Sequence, residues 1–278
     1  MEANDVIQSV VGQLQNVEGI AAIVLGGSRA CGTETQESDI DIGVYYRLER
    51  PIDIVALEKI AEAMDDERRS GLITPIGGWG PWINGGGWLT TGGFPLDVLY
   101  RDAAKVSGAI DDCRQGRIDI HYQPGHPHGF CTSIYMGEVA RCRPLWDPEG
   151  LVAELKAKTV PYPDALRQAT ISKFLWEAEF SLANASKALS RNDVSYAAGH
   201  LFRTVSCMVQ VLFACNGEYL LNEKGAVASC KRFGAAPAEF ERRVQEGFAC
   251  LSAARSDLTK AIALFAALVR ETQAFASK

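Results

Sequence analysis

The sequence predicts an α+β chain: a small mixed sheet with flanking helices over residues 1–148, then an all-helical bundle over residues 149–278. Three observations predict it. Short apolar runs with strand patterning (residues 20–25, 40–46 and 94–101) all fall in the first half. Beyond Pro144-Leu145-Trp146-Asp147-Pro148 strand patterns stop, and residues 165–189, 195–214, 238–254 and 256–274 carry apolar positions at helical spacing. With 278 residues, 47% of them hydrophobic and 22% charged, the chain can bury a real core divided between two modest domains.

The elements follow in order. Val6, Ile7, Val10, Val11 and Leu14 recur at helical spacing, which predicts a helix over residues 4–16. The continuous apolar run Ile20 to Leu25 ends at Gly26-Gly27 and suits a buried strand, whereas Ile40 to Tyr46 alternates and reads as a second strand. Asp53 is placed to cap a helix carrying Ile54, Leu57, Ala61 and Met64. The Gly- and Trp-rich stretch from Gly77 to Gly93 reads either as a hairpin or surface loop packing its tryptophans on the core, or as a flap that stacks on a base or sugar. Phe94 to Arg101 is a further strand, and Asp102 opens a helix. In the second half the clearest stripe is Ile171, Phe174, Leu175, Ala178 and Leu182.

Composition narrows the function classes. Eight cysteines are scattered without CxxC pairs, several in apolar segments, so reduced and partly buried thiols are expected in place of a zinc site. The formal charge of −6 argues against a nucleic-acid coat. Residues 1–150 hold 12 Lys+Arg against 22 Asp+Glu, a net of −10, so the first half is suited to cations, whether metals or a polyamine-like substrate. The first five residues lack the basic and apolar regions of a secretory signal, and no apolar run approaches bilayer length, so a cytoplasmic protein without a membrane partner is expected.

The strongest constellation is Leu25-Gly26-Gly27-Ser28-Arg29 followed by Ser38-Asp39-Ile40-Asp41. Glycines at a strand end let backbone N–H groups approach a phosphate, Ser28 adds a hydroxyl, and Arg29 adds a fixed positive fork. Asp39 and Asp41, two residues apart, project from one strand face while Ile40 and Ile42 enter the core. Neighbouring carboxylates repel unless a cation lies between them. Asp97 is a third carboxylate in the otherwise apolar Phe94–Tyr100 strand, where an uncompensated charge is costly. A strand-opening turn explains Asp39 but leaves Asp41 unaccounted for. No Gly-Lys-Ser/Thr follows the glycines, which excludes a P-loop.

Gly27-Ser28, Asp39-x-Asp41 and the later strand Asp97 together resemble the DNA polymerase β-like nucleotidyltransferase superfamily over about the first hundred residues. The resemblance implies a transferase with Asp39, Asp41 and Asp97 as catalytic metal ligands for two Mg²⁺ ions. ATP or another nucleoside triphosphate would be held by Gly27, Ser28, Arg29 and Ser38.

A transferase domain joined to a helical one is similar to antibiotic nucleotidyltransferases of the kanamycin type. His128-Gly129-Phe130, a following apolar strand-like run and Leu145-Trp146-Asp147 resemble the end of that family's first domain. Leu175-Trp176-Glu177 falls where the family carries the glutamate that deprotonates the acceptor hydroxyl. That makes Glu177 the candidate general base with Glu179 as substitute; an exposed helix glutamate is the competing reading. Cys31 stands where kanamycin-type enzymes have arginine, and Arg29 takes over phosphate binding in the manner of minimal nucleotidyltransferases. Lys224 is either a phosphate contact from the second domain or a solvated helix-start lysine. The histidines of HYQPGHPH invite a metal, but their interleaved Pro and Gly favour a turn; Arg203, in an apolar helix, is expected to pair with a buried carboxylate.

The expected reaction moves a nucleoside monophosphate, AMP from ATP by preference, to a hydroxyl of a small-molecule acceptor such as an aminoglycoside-like polycation. No nucleic-acid partner is expected, and a homodimer is one option, since related antibiotic transferases share sites across dimers. The alternatives are a protein-modifying adenylyltransferase of the minimal nucleotidyltransferase type and a non-catalytic nucleotide-binding protein. Arg191 and His200 are too far apart in sequence for an active fused ribonuclease toxin.

Overall fold

The computed structural model describes residues 2–277. They form two compact units, residues 2–111 with 135–161 and residues 112–134 with 162–277. The sequence places one boundary at 148/149, where composition changes. The compact units instead interleave, because residues 112–134 pack with the helices: Lys173 Nζ donates to the Ile118 carbonyl at 3.3 Å, and the His128 and Phe174 rings lie 5.9 Å apart.

In the first unit, α1 (Ala3–Leu14) buries Val6, Ile7, Val10, Val11 and Leu14, the stripe its periodicity marks out. β1 (Ile20–Leu25) leads into the short helix α2 (Gly27–Cys31), and β2 (Ile40–Tyr46) runs antiparallel to β1. α3 (Ile54–Met64) starts where Asp53 accepts the Ala56 N–H at 3.0 Å. β3 (Gly86–Thr91) and β4 (Phe94–Asp102) form a hairpin whose turn, Gly92-Gly93, has φ of +59° and +82°; both residues need the left-handed region that a two-residue turn demands. The Asp66 carboxylate accepts both turn N–H groups at 2.8 Å, and buried Asp65 accepts the Thr90 N–H at 3.0 Å. The end of α3 thus fixes the hairpin.

Asp102 accepts the Ala104 N–H at 2.9 Å to open α4 (Ala103–Arg114). The pair β5 (Ile120–His121) and β6 (Phe130–Cys131) precedes α5 (Ser133–Arg141) and β7 (Arg143–Trp146). The strand-like run expected after Phe130 is therefore a helix. Its reason is side-chain spacing: Tyr135, Glu138 and Cys142 recur at helical intervals and face Tyr45 and Arg101, both buried.

The sheet order is β3-β4-β2-β1-β7, mixed because β2 and β4 run parallel while the other pairings are antiparallel. One face of the sheet is core: Ile40, Ile42 and Val44 lie opposite Leu96, Val98 and Tyr100, and α1 and α3 cover them. Beneath the opposite face, Arg101 is buried and forked onto Glu138 at 2.8 and 2.7 Å. α6 (Leu151–Ala157) closes the unit, and Lys156 Nζ ties it to the carbonyls of Val139, Ala140 and Cys142 at 2.7–2.9 Å.

The second unit is helical around the pair α7 (Asp164–Lys187) and α8 (Val194–Cys215), joined by α9 (Ala226–Ser229), α10 (Phe240–Ala249) and α11 (Arg255–Ala276). Among the described residues α8 is the one helix long and apolar enough to cross a membrane, but α7 and α11 pack on it and most of its residues are buried. The hydrophobic effect accounts for its composition without a bilayer. All eight cysteines are free thiols, as their scatter predicts.

Candidate active site

β2 and β4 pair in parallel with Asp41 directly opposite Asp97. Residues facing each other across a ladder project from the same face, so the two carboxylates stand side by side on the face away from the α1/α3 core. Asp39 lies immediately before β2 and is exposed. Burial raises the Asp97 carboxyl to about 6, with further contributions from Asp41 and then Asp39. All three influences act in one direction, because burial and neighbouring like charges both disfavour the ionised carboxylate.

The glycine turn abuts the acids. The Gly26 N–H donates to the Asp41 carbonyl at 2.8 Å. Gly27 has φ +60°, and a Cβ there would lie 1.8 Å from an Asp41 carboxylate oxygen. Any other residue would strain the backbone here and displace that carboxylate. Ser28 follows in α2, within the same turn.

Arg29 reaches the segment that carries Asp39. Its Nε donates to the Asp39 carbonyl at 3.0 Å, another guanidinium N–H donates to the Ser38 carbonyl, and the group lies 5.4 Å from the Phe94 ring centroid. It braces the segment that presents Asp39. Ser38 Oγ accepts the Thr35 N–H at 2.9 Å and shapes the same segment.

Residues 7–74 match the nucleotidyltransferase domain family, spanning the glycine turn and both acids of the Asp-x-Asp pair. The chain carries a nucleotidyltransferase domain over these residues, in line with the resemblance of its motif to the DNA polymerase β-like superfamily. Residues 132–224 match a domain family of unknown function, DUF4037. The crystal structure of a nucleotidyltransferase-like protein from Exiguobacterium sibiricum 255-15 aligns with 99% of this chain and 78% of its own, at 8% identity and a TM-score of 0.46. No curated protein matches.

The remaining predicted residues belong to the helical unit. Glu177 is buried in α7 and ion-paired with Arg203 of α8, the partnership expected for that arginine. His128 Nε2 lies 3.9 Å from the Glu177 carboxylate and 3.5 Å from Cys207 Sγ. His128 and Arg203 hold Glu177 below the usual glutamate range against the effect of burial. His128, Glu177 and Cys207 offer ligand atoms within 4.8 Å of one another. The guanidinium pairs with the same carboxylate, and burial pushes the Cys207 thiol up. Glu179 is exposed on the same helix. Lys224 is exposed, and its backbone N–H donates to Asn222 Oδ1 at 2.8 Å.

The sequence reading takes the tryptophans of residues 77–93 together without singling out Trp88, which lies opposite Asp97 in the β3–β4 hairpin. The signal is present: with Gly92-Gly93 as a two-residue turn, counting outward from Thr91 and Phe94 pairs residue 88 with residue 97.

Proposed function

We propose that the enzyme moves a nucleoside monophosphate, AMP from ATP by preference, to a hydroxyl of a small-molecule acceptor with release of pyrophosphate. The observation that carries this reading is the side-by-side pair Asp41 and Asp97, with Asp39 adjoining and Gly27 fitted against Asp41.

Family members use a nucleoside triphosphate and a divalent metal. The clustered hard oxygens suit Mg²⁺, two ions in this reading, held by Asp39, Asp41 and Asp97. When bound, the metal supplies charge neutralisation for the triphosphate and lowers the energy of the developing negative charge. The chain's own residues do the rest. Gly27 and Ser28 receive the terminal phosphates, and Arg29 holds Asp39 in place. The acceptor oxygen forms a bond to the α-phosphorus, and the bond from that phosphorus to the bridging oxygen breaks. Pyrophosphate leaves with the electron pair, and the acceptor proton passes to a carboxylate. Asp97, opposite Asp41 on the same sheet face, is one candidate for that proton. Glu177 remains the alternative base, and Lys224 the candidate phosphate contact from the helical unit.

The net charge of −10 over residues 1–150 favours a cationic acceptor of aminoglycoside type in a cytoplasmic setting. Calorimetric titration tests the reading. ATP binding is expected to need Mg²⁺ and to weaken at least about tenfold in Asp41→Asn; binding indifferent to both would sink it. Intact-mass analysis of lysate with ATP separates the protein-modifying alternative, which requires a protein to gain the nucleotide mass.

A further inference from the structure

Trp88 is 60% exposed, although its strand neighbours Gly87 and Leu89 are buried. One face of its ring is covered: Trp79 stacks on it with centroids 4.3 Å apart and planes 21° apart. Trp79 reaches this position because residue 86 is glycine; a Cβ there would come within 3.1 Å of the Trp79 ring and 1.8 Å of the Val98 carbonyl oxygen. Gly86 thus leaves room both for the close approach of β4 and for the Trp79 ring. A purely structural cross-strand tryptophan is best placed opposite an apolar or β-branched residue. The residue opposite Trp88 is Asp97.

Across this face the order is the Gly26–Ser28 turn, Asp41, Asp97, Trp88. Neighbouring strands stand about 4.8 Å apart, so the indole lies one strand beyond Asp97 and two beyond Asp41. In an in-line displacement the attacking oxygen enters opposite the leaving pyrophosphate. With the terminal phosphates at Gly27 and Ser28, attack comes from the Asp97 side, and Trp88 is the next group along.

We propose that Trp88, buttressed by Trp79, is the platform on which an amino-sugar ring of the acceptor stacks while one of its hydroxyls faces Asp97. The C–H face of such a ring packs on an indole, its ammonium groups are drawn to the indole face, and the acidic first half adds to that attraction. This rests on the nucleotidyl-transfer reading above.

The test measures pyrophosphate release from ATP and Mg²⁺ with kanamycin A or glycerol as acceptor, in the wild type, Trp88→Ala, Trp88→Phe and Trp79→Ala. Kanamycin A is expected to outperform glycerol in the wild type. Trp88→Ala should raise the KM for kanamycin A about tenfold or more with the KM for ATP unmoved, Trp88→Phe should restore most of the loss, and Trp79→Ala should fall between. Thermal melts check that each variant is folded, and Trp88→Phe carries the result if the alanine variant is not. Kanamycin A no better than glycerol, an unchanged KM in Trp88→Ala, or an equal rise in the KM for ATP overturns the platform. Absence of Mg²⁺-dependent ATP binding would instead remove the underlying reading.

Discussion

The carboxylates of the sheet and the carboxylate of the helical unit are opposites in how their charge is met. Asp97 stands beside Asp41 with every influence pushing its carboxyl up, whereas Glu177 is clasped by Arg203 and lies next to His128. The first arrangement sets like charges side by side; the second pairs opposite ones. Both acids are partly withdrawn from water, so burial alone does not set how each titrates; the neighbours do.

The largest expected effect breaks the sheet site. Asp97→Asn should lower the rate of pyrophosphate release by at least about 10²-fold, since metal-assisted charge stabilisation supplies several kcal/mol. In metal-free buffer the same variant should melt no lower than the wild type, because it removes repulsion. A drop in both activity and metal-free melting temperature would place Asp97 among structural acids.

Next comes the helical cluster. Arg203→Met leaves Glu177 without its partner and should cost about 1–2 kcal/mol, less than a fully buried pair because the arginine is 46% exposed. Glu177→Gln should lower the melting temperature with little change in kcat. A fall in kcat of about 10²-fold or more with unchanged stability would make Glu177 the base after all.

The smallest effect separates the two sites by pH. Asp97 binds its proton more tightly folded than unfolded, so its contribution falls as pH rises from about 4 to about 6. The size is about 1 kcal/mol after solvent screening is allowed for. Glu177 has the reverse sign: its stabilisation is present above the ordinary glutamate range and is lost as pH falls. Calorimetric melts from pH 4 to pH 7, with Mg²⁺ and with chelator, read both. Mg²⁺ should raise the melting temperature more at pH 7 than at pH 5, and Asp97→Asn should weaken that difference.

The sequence by itself determined the parts with a local period or local chemistry. Val6 to Leu14 marks a helix face, Ile20 to Leu25 a buried strand, Asp53 and Asp102 helix starts, and Gly27-Ser28 with Asp39-x-Asp41 the segment that matches a nucleotidyltransferase domain. Each rests on residues within a turn or a strand of one another, where spacing sets direction. Tertiary structure decided what depends on distant partners. The parallel register that sets Asp97 against Asp41 joins strands that are not consecutive in the chain. The pairing of Glu177 with Arg203 needs two helices packed together. The strand-like run after Phe130 became α5 because Tyr135, Glu138 and Cys142 had Tyr45 and Arg101 to face. Local pattern fixes which way a side chain points; only packing fixes what it meets.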